Sequence, residues 1–203
     1  EGWYAKVMPR RKKKLLPNYA FIDSQNLNIG VQSHGWKIDW RKFRQFLAEK
    51  YGISNAYMFI GYLPENEDLY TQMHDAGYLV VLKPTIDMYM TPDEKAEMMK
   101  PGKDGEEPKK MQTKGNVDAE LVLYAVKEMP NYDKAIIVSG DGDFFGLVEY
   151  LEQQGKLMHL MAPNRRYSSL LKPFEKHIVR VDEFKREIAY RGYHRRPKKE
   201  DTK

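Results

Sequence analysis

Cysteine is absent from the 203-residue sequence. That excludes disulfide scaffolds, cysteine nucleophiles, thiolate zinc sites and iron–sulfur clusters, and it fits a reducing compartment. No apolar run approaches the roughly 20 residues a membrane span requires, and mean hydropathy is −0.72. Residues 1–16, EGWYAKVMPRRKKKLL, lack the hydrophobic stretch of a secretory signal. The chain opens on Glu1, not Met, so its true start is expected to lie upstream or to have been removed. No Gly-x-Ser-x-Gly elbow supports a serine hydrolase, and no phosphate-binding Walker loop occurs. The histidines (His34, His74, His159, His177 and His194) show no metal-ligand spacing. His159, inside an apolar strand, is expected to be a hydrogen-bonded core residue. These absences point to a cytoplasmic protein with no membrane partner.

Apolar residues make up 41% of the chain, enough to prefer a packed globule over disorder. The length predicts one domain, at most two. Charge is unevenly spread. Residues 1–16 carry +5 and residues 191–203 carry +4, which leaves −4 of the overall +5 for residues 17–190. An acidic domain over 17–190 is thus flanked by a basic N-terminal arm and a basic C-terminal tail. Lys12, Lys13, Arg195 and Arg196 in those arms are candidate contacts to nucleic-acid phosphates, because each neutralised phosphate releases counterions. A solvated, solubilising end is the competing reading.

Short β-branched or aromatic runs alternate with helical patterns. Strands are predicted at Tyr19–Asp23, Ala56–Tyr62, Tyr78–Leu82, Ala135–Val138, Leu157–Met161 and Ile178–Val181. Helices are predicted through Trp40, Phe43, Phe46 and Leu47, from Pro64 to Ala76, from Val117 to Met129, from about Asp143 to Gln154, near Ser168–Phe174, and from Asp182. Such alternation predicts a parallel sheet covered on both faces. Residues 85–113 interrupt the rhythm as a long insertion rich in Pro, Gly and charge, either a functional lid or a tolerated surface loop.

Ligands of parallel α/β sheets sit at the carboxyl ends of the strands. There the sequence places Asp23 and Asn26 after the first strand, Lys114 and Asp118 after the third, and Ser139, Asp141 and Asp143 after the fourth. Converging carboxylates raise one another's pKa unless a cation lies between them. A hard divalent ion, Mg²⁺ or Mn²⁺, answers that chemistry and serves phosphoryl transfer. Each Asp alone is better explained as a turn residue or helix cap than as a catalytic group. Their joint position favours a site.

Three other readings compete over Ser139–Glu152, SGDGDFFGLVEYLE. Gly140, Gly142 and Gly146 imitate a dinucleotide loop, but Asp141 and Asp143 would repel a pyrophosphate. Asp141, Asp143, Gly146 and Glu152 stand at calcium-loop positions, but Phe145 offers no ligand atom. The acidic run also resembles that of haloacid-dehalogenase-type phosphatases. Those need a second Asp two residues after the first, and Asp23 is followed by Ser24 and Gln25.

FIDSQNL (21–27), KGNVDAELVLYA (114–125) and VSGDGDFFGLVEYL (138–151) resemble the NYN domains, the LabA-like branch of the PIN-like nuclease superfamily. SSLLKPFEKHIVRVDEF (168–184) is similar to the last helix and strand of that family. The resemblance covers about residues 17–190. It implies a three-layer, PIN-like or Rossmannoid α/β fold, Mg²⁺ or Mn²⁺, and ribonuclease activity. Carried over position by position, Asp23, Asp118, Asp141 and Asp143 match the metal-binding quartet. Asn26 and Ser139 match the Asn and small hydroxyl residue that accompany it. One departure is the extra residue in Lys114-Gly115-Asn116-Val117-Asp118, where many relatives read Lys-Gly-Val-Asp. The insertion adjoins it.

The resulting expectation is an endoribonuclease in which a metal-activated water attacks a backbone phosphate of single-stranded RNA, leaving 5′-phosphate and 3′-hydroxyl ends. Lys114, Arg165 and Arg166 are candidates to hold phosphates, and Tyr167 to stack on a base. Trp36, Trp40 and Phe43 are expected in the core. An RNA-binding module without catalysis and a small-molecule phosphatase are the alternatives. A homodimer or protein partner stays open.

Overall fold

The computed structural model describes residues 15–62, 66–83 and 117–192. The insertion at 85–113 lies outside the described residues, as do Lys12, Lys13, Lys114, Arg195 and Arg196. In chain order the elements are β1 (Asn18–Asp23), α1 (Ser24–Gln32), α2 (Trp40–Tyr51), β2 (Ile53–Gly61), α3 (Glu67–Asp75) and β3 (Leu79–Lys83). There follow α4 (Asp118–Lys127), β4 (Ala135–Val138), α5 (Phe145–Gln153), β5 (Leu157–Ala162), β6 (Ile178–Arg180) and α6 (Lys185–Ile188). The six strands form one sheet in the order β3-β2-β1-β4-β5-β6, every pairing parallel. The α/β architecture expected from the alternating pattern is the one observed.

Strand periodicity divides the core between two faces. Along β1, Ala20 and Ile22 join a cluster with Leu27 and Val31 of α1, Phe43 and Leu47 of α2, Met73 of α3 and Ile188 of α6. Tyr19 and Phe21 point the other way, to Leu121 and Ala125 of α4, Val148 and Leu151 of α5, and Phe174. Helices thus cover both faces, giving three layers. Phe43 and Trp36 are buried and Trp40 packs against their cluster, as expected. Truncating a fully buried Phe such as Phe43 to Ala costs ~3–5 kcal/mol.

Differences from the sequence expectation have local causes. The helix α1 was not anticipated, since SQNLNIGVQ has little helix propensity. It forms because the Asp23 carboxylate accepts from the Asn26 N–H at its start, and because Leu27 and Val31 are completely buried. The helix expected to reach Met129 stops at Lys127, and Pro130 falls in a short 3₁₀ turn. The segment expected to be helical from Asp143 begins as a 3₁₀ turn, Gly142–Phe144, capped by Asp141. A 3₁₀ stretch, Ser169–His177, runs past the expected end at Phe174 and through Pro173.

His159 is a partial correction. Its ring stands edge-on to Tyr51 at 5.2 Å, so the neighbour on that side is aromatic. Its Nδ1 is buried without a hydrogen-bond partner among the described residues. Burial, above all, pushes its pKa below the ordinary histidine value.

Candidate active site

In a sheet of this order the chain leaves β1 and β4, the two central strands, toward opposite sides, and a crevice opens between their carboxyl ends. A cleft of about 440 Å³ occupies that position. Asp23, Asn26, Asp118, Asp141, Asp143 and Arg166 line it, with Gln25, Ile29, Gly30, Val117, Gly140, Pro163 and Asn164. All four candidate aspartates therefore meet at one cleft from three distant segments. Arg165 is exposed and does not line it. Tyr167 is half-buried and packs against the apolar cluster under α4 and α5.

Reciprocal hydrogen bonds tie the ends of β1 and β4 together. Asp23 is the last residue of β1 and is 5% exposed. Its Oδ1 accepts from the Asn26 backbone N–H at 3.0 Å, and its Oδ2 accepts from the Ser139 hydroxyl at 3.2 Å. The Ser139 Oγ in turn accepts from the Asp141 N–H at 3.1 Å. The Asn26 Oδ1 accepts from the Gly140 N–H at 2.9 Å. Asn26 and Ser139 thus hold the backbone and carboxylates of the two strand ends in place. The Asp141 Oδ1 accepts from the Asp143 N–H at 3.0 Å, which turns the chain into its 3₁₀ step. Asp118, half-buried, opens α4.

The electrostatics are those of crowded acids. Burial first, then the like charges of Asp118 and Asp141, raise the Asp23 pKa above its ordinary value of 3.8. The Asn26 and Ser139 hydrogen bonds oppose that shift without cancelling it. An oxygen-only, partly desolvated donor set of this kind suits a hard divalent cation. Among the described residues, however, no three acidic or histidine side chains are grouped closely enough to make a ready-formed metal centre.

One further residue at the cleft escaped the sequence reading. Asn164 is 6% exposed and bridges two segments. Its Nδ2 donates to the Gly30 carbonyl at 2.9 Å, and its Oδ1 accepts from the Arg166 N–H at 2.7 Å. Gly30 permits this contact, because a Cβ there would lie 2.4 Å from Pro163 Cβ. The Pro163-Asn164 pair was the available signal, since Asn after Pro favours a side-chain-bonded turn.

The comparisons with known proteins bear on the family and the fold. The NYN domain family matches residues 19–180. The low amplitude and bright protein LabA of Synechococcus elongatus is 29% identical over 133 residues, which cover 64% of this chain and 65% of LabA. The match thus spans just under two thirds of that relative's length. A crystal structure of VPA0982 from Vibrio parahaemolyticus RIMD 2210633, a protein of unknown function, superposes with a TM-score of 0.62 at 21% identity. It covers 89% of this chain and all of that one, a likeness of fold. Among the described residues no helix is long and apolar enough to cross a membrane.

Proposed function

The chain belongs to the NYN domain family, whose members are in general nucleases, and from that premise we propose that it is a metal-dependent endoribonuclease. The observation that carries this reading is the convergence of Asp23, Asp118, Asp141 and Asp143 on one cleft, with the Asp23 pKa raised by burial and then by the like charges of Asp118 and Asp141. Asp23, Asp118, Asp141 and Asp143 would hold Mg²⁺ or Mn²⁺. When bound, such an ion supplies a Lewis acid that lowers the pKa of water and offsets charge on the scissile phosphate.

The remaining work falls to the chain itself. Ser139 and Asn26 keep the two strand ends in register, so that Asp23 and Asp141 face one volume. Arg166, its backbone held by Asn164, presents a cation at the rim for a flanking phosphate. Lys114, Arg165 and the basic arms, with Lys12, Lys13, Arg195 and Arg196, would add affinity along single-stranded RNA in a salt-dependent way. Hydrolysis in line would leave 5′-phosphate and 3′-hydroxyl ends. We assign residues 17–190 to the nuclease domain and the flanks to substrate capture.

A second reading is an RNA-binding domain without catalysis, which Arg166 at the rim and the basic flanks would serve equally. The test is cleavage of end-labelled single-stranded RNA with Mn²⁺, Mg²⁺ or EDTA, wild type beside Asp141→Asn. Metal-dependent cutting that disappears in the variant supports the nuclease. Salt-sensitive binding with no cutting under any metal supports the second reading.

A further inference from the structure

A second cavity of about 410 Å³ opens at the same edge of the sheet, over the end of β2 between α1, the start of α2 and α3. Its floor is apolar. Met58 and Met73 are buried there, with Ile60 and the half-buried Trp40 beside them. Among the described residues its rim is polar and uncharged: Ser24, Gln25, Asn28 and Asn66. Among the described residues no ionisable side chain lines it, so a neutral occupant suits it better than a phosphate, a cation or a carboxylate. A flat group with apolar faces and hydrogen-bonding edges matches it instead. The size falls within the usual range for small-molecule sites, roughly 300–1,000 Å³.

Position narrows the occupant further. Gln25 lines both this cavity and the acidic cleft, so the two adjoin at the start of α1. Ser24 is pinned by donating to the Phe59 carbonyl at 2.7 Å. The Oδ1 of Asn28 accepts from Gln32 Nε2 at 2.9 Å. Carboxamides combine a donor and an acceptor in one plane, the pattern needed to read the edge of a base. Single-stranded RNA is commonly recognised by bases splayed out against apolar or aromatic surfaces. Methionines adapt to such a face.

We propose that this cavity receives a nucleobase of the RNA strand, next to the phosphate held over the acidic cleft, and that Asn28 and Gln25 read its edge. The inference rests on the nuclease reading for its biological sense, although base binding can be measured without cleavage. The probe is a set of nucleosides (adenosine, inosine, cytidine and uridine) with ribose as control. They are titrated into the full chain while the methyl NMR signals of Met58 and Met73 are followed.

Nucleosides are expected to shift both methyl signals and ribose to leave them in place. One base should bind at least about fivefold more tightly than the weakest. Asn28→Ala should flatten that preference, and Leu69→Trp, a change at an exposed position on the cavity wall, should abolish the shifts. Methyl signals that stay still to the solubility limit, or that move equally with ribose, would overturn the proposal. So would an unchanged base preference in Asn28→Ala. If RNA is cut while the methyls stay still, the base site alone fails. If the methyls respond but no metal supports cutting, the nuclease reading fails and the base site stands.

Discussion

Asp23 and Glu152 are both carboxylates held among titratable neighbours, yet their surroundings act in opposite directions. Glu152, on α5, accepts from Lys176 Nζ at 2.8 Å and lies 3.1 Å from His177 Nε2. The Lys176 hydrogen bond first, and His177 with it, lowers the Glu152 pKa below its ordinary value of 4.5. At Asp23, burial and the acids Asp118 and Asp141 raise it. A paired acid adds slightly to folding stability. Crowded acids repel, an arrangement that is concentrated at functional sites.

The largest effect that would sharpen this contrast is on turnover. Asp141→Asn should lower RNA cleavage by more than about a hundredfold, beyond what residues behind a metal's ligands usually contribute. Glu152→Gln should leave cleavage within about twofold, since exposed pairs act on stability weakly and locally. Comparable losses in single-turnover cleavage by the two variants would break the contrast.

Ser139→Ala comes next. It removes the donor to Asp23 and the acceptor for the Asp141 N–H, so cleavage should fall about 10–100-fold. Denaturant unfolding should show a loss of about 1 kcal/mol or somewhat more. Gly30→Ala tests the opposite wall. Its methyl would collide with Pro163 and push the loop that carries Arg166, costing ~1–3 kcal/mol by unfolding and weakening RNA binding.

The acid contrast is also visible without substrate. Because the folded state holds the Asp23 proton more tightly than the unfolded chain, its stabilising contribution is complete below the ordinary value of 3.8. It is lost as pH rises through the raised folded value. In EDTA at neutral pH, Asp23→Asn should therefore melt a few degrees higher than wild type, and Mg²⁺ or Mn²⁺ should raise the wild-type midpoint alone. Glu152 behaves inversely: its contribution is present above 4.5 and is lost as pH falls through the lowered folded value. Glu152→Gln should cost the least, within about 2 °C at neutral pH, and the gap to wild type should close on acidification.

Much of this was legible in the residues. AIIV at 135–138 is a buried strand in sequence and in structure, because a run apolar at every position suits a central parallel strand. The acids were legible because DSQN and SGDGD follow such runs directly. The helix α1 was not, because its stability comes from a cap and two buried contacts and not from propensity. Asn164 was not, because its partner Gly30 is 134 positions away.

Composition and periodicity, which are local properties of the chain, determined the alternating elements, the parallel sheet and which residues stand at strand ends. Only the tertiary structure decided which strand ends are neighbours. Hydrogen bonds between Asp23 and Ser139, and between Asn26 and Gly140, join positions more than a hundred residues apart. They bring acids that sequence spacing keeps separate into one cleft, and they bury one of them. The burial and the repulsion that raise the Asp23 pKa, and the chemistry proposed for it, arise from that approach, since charge interactions depend on exclusion of water and on distance in space.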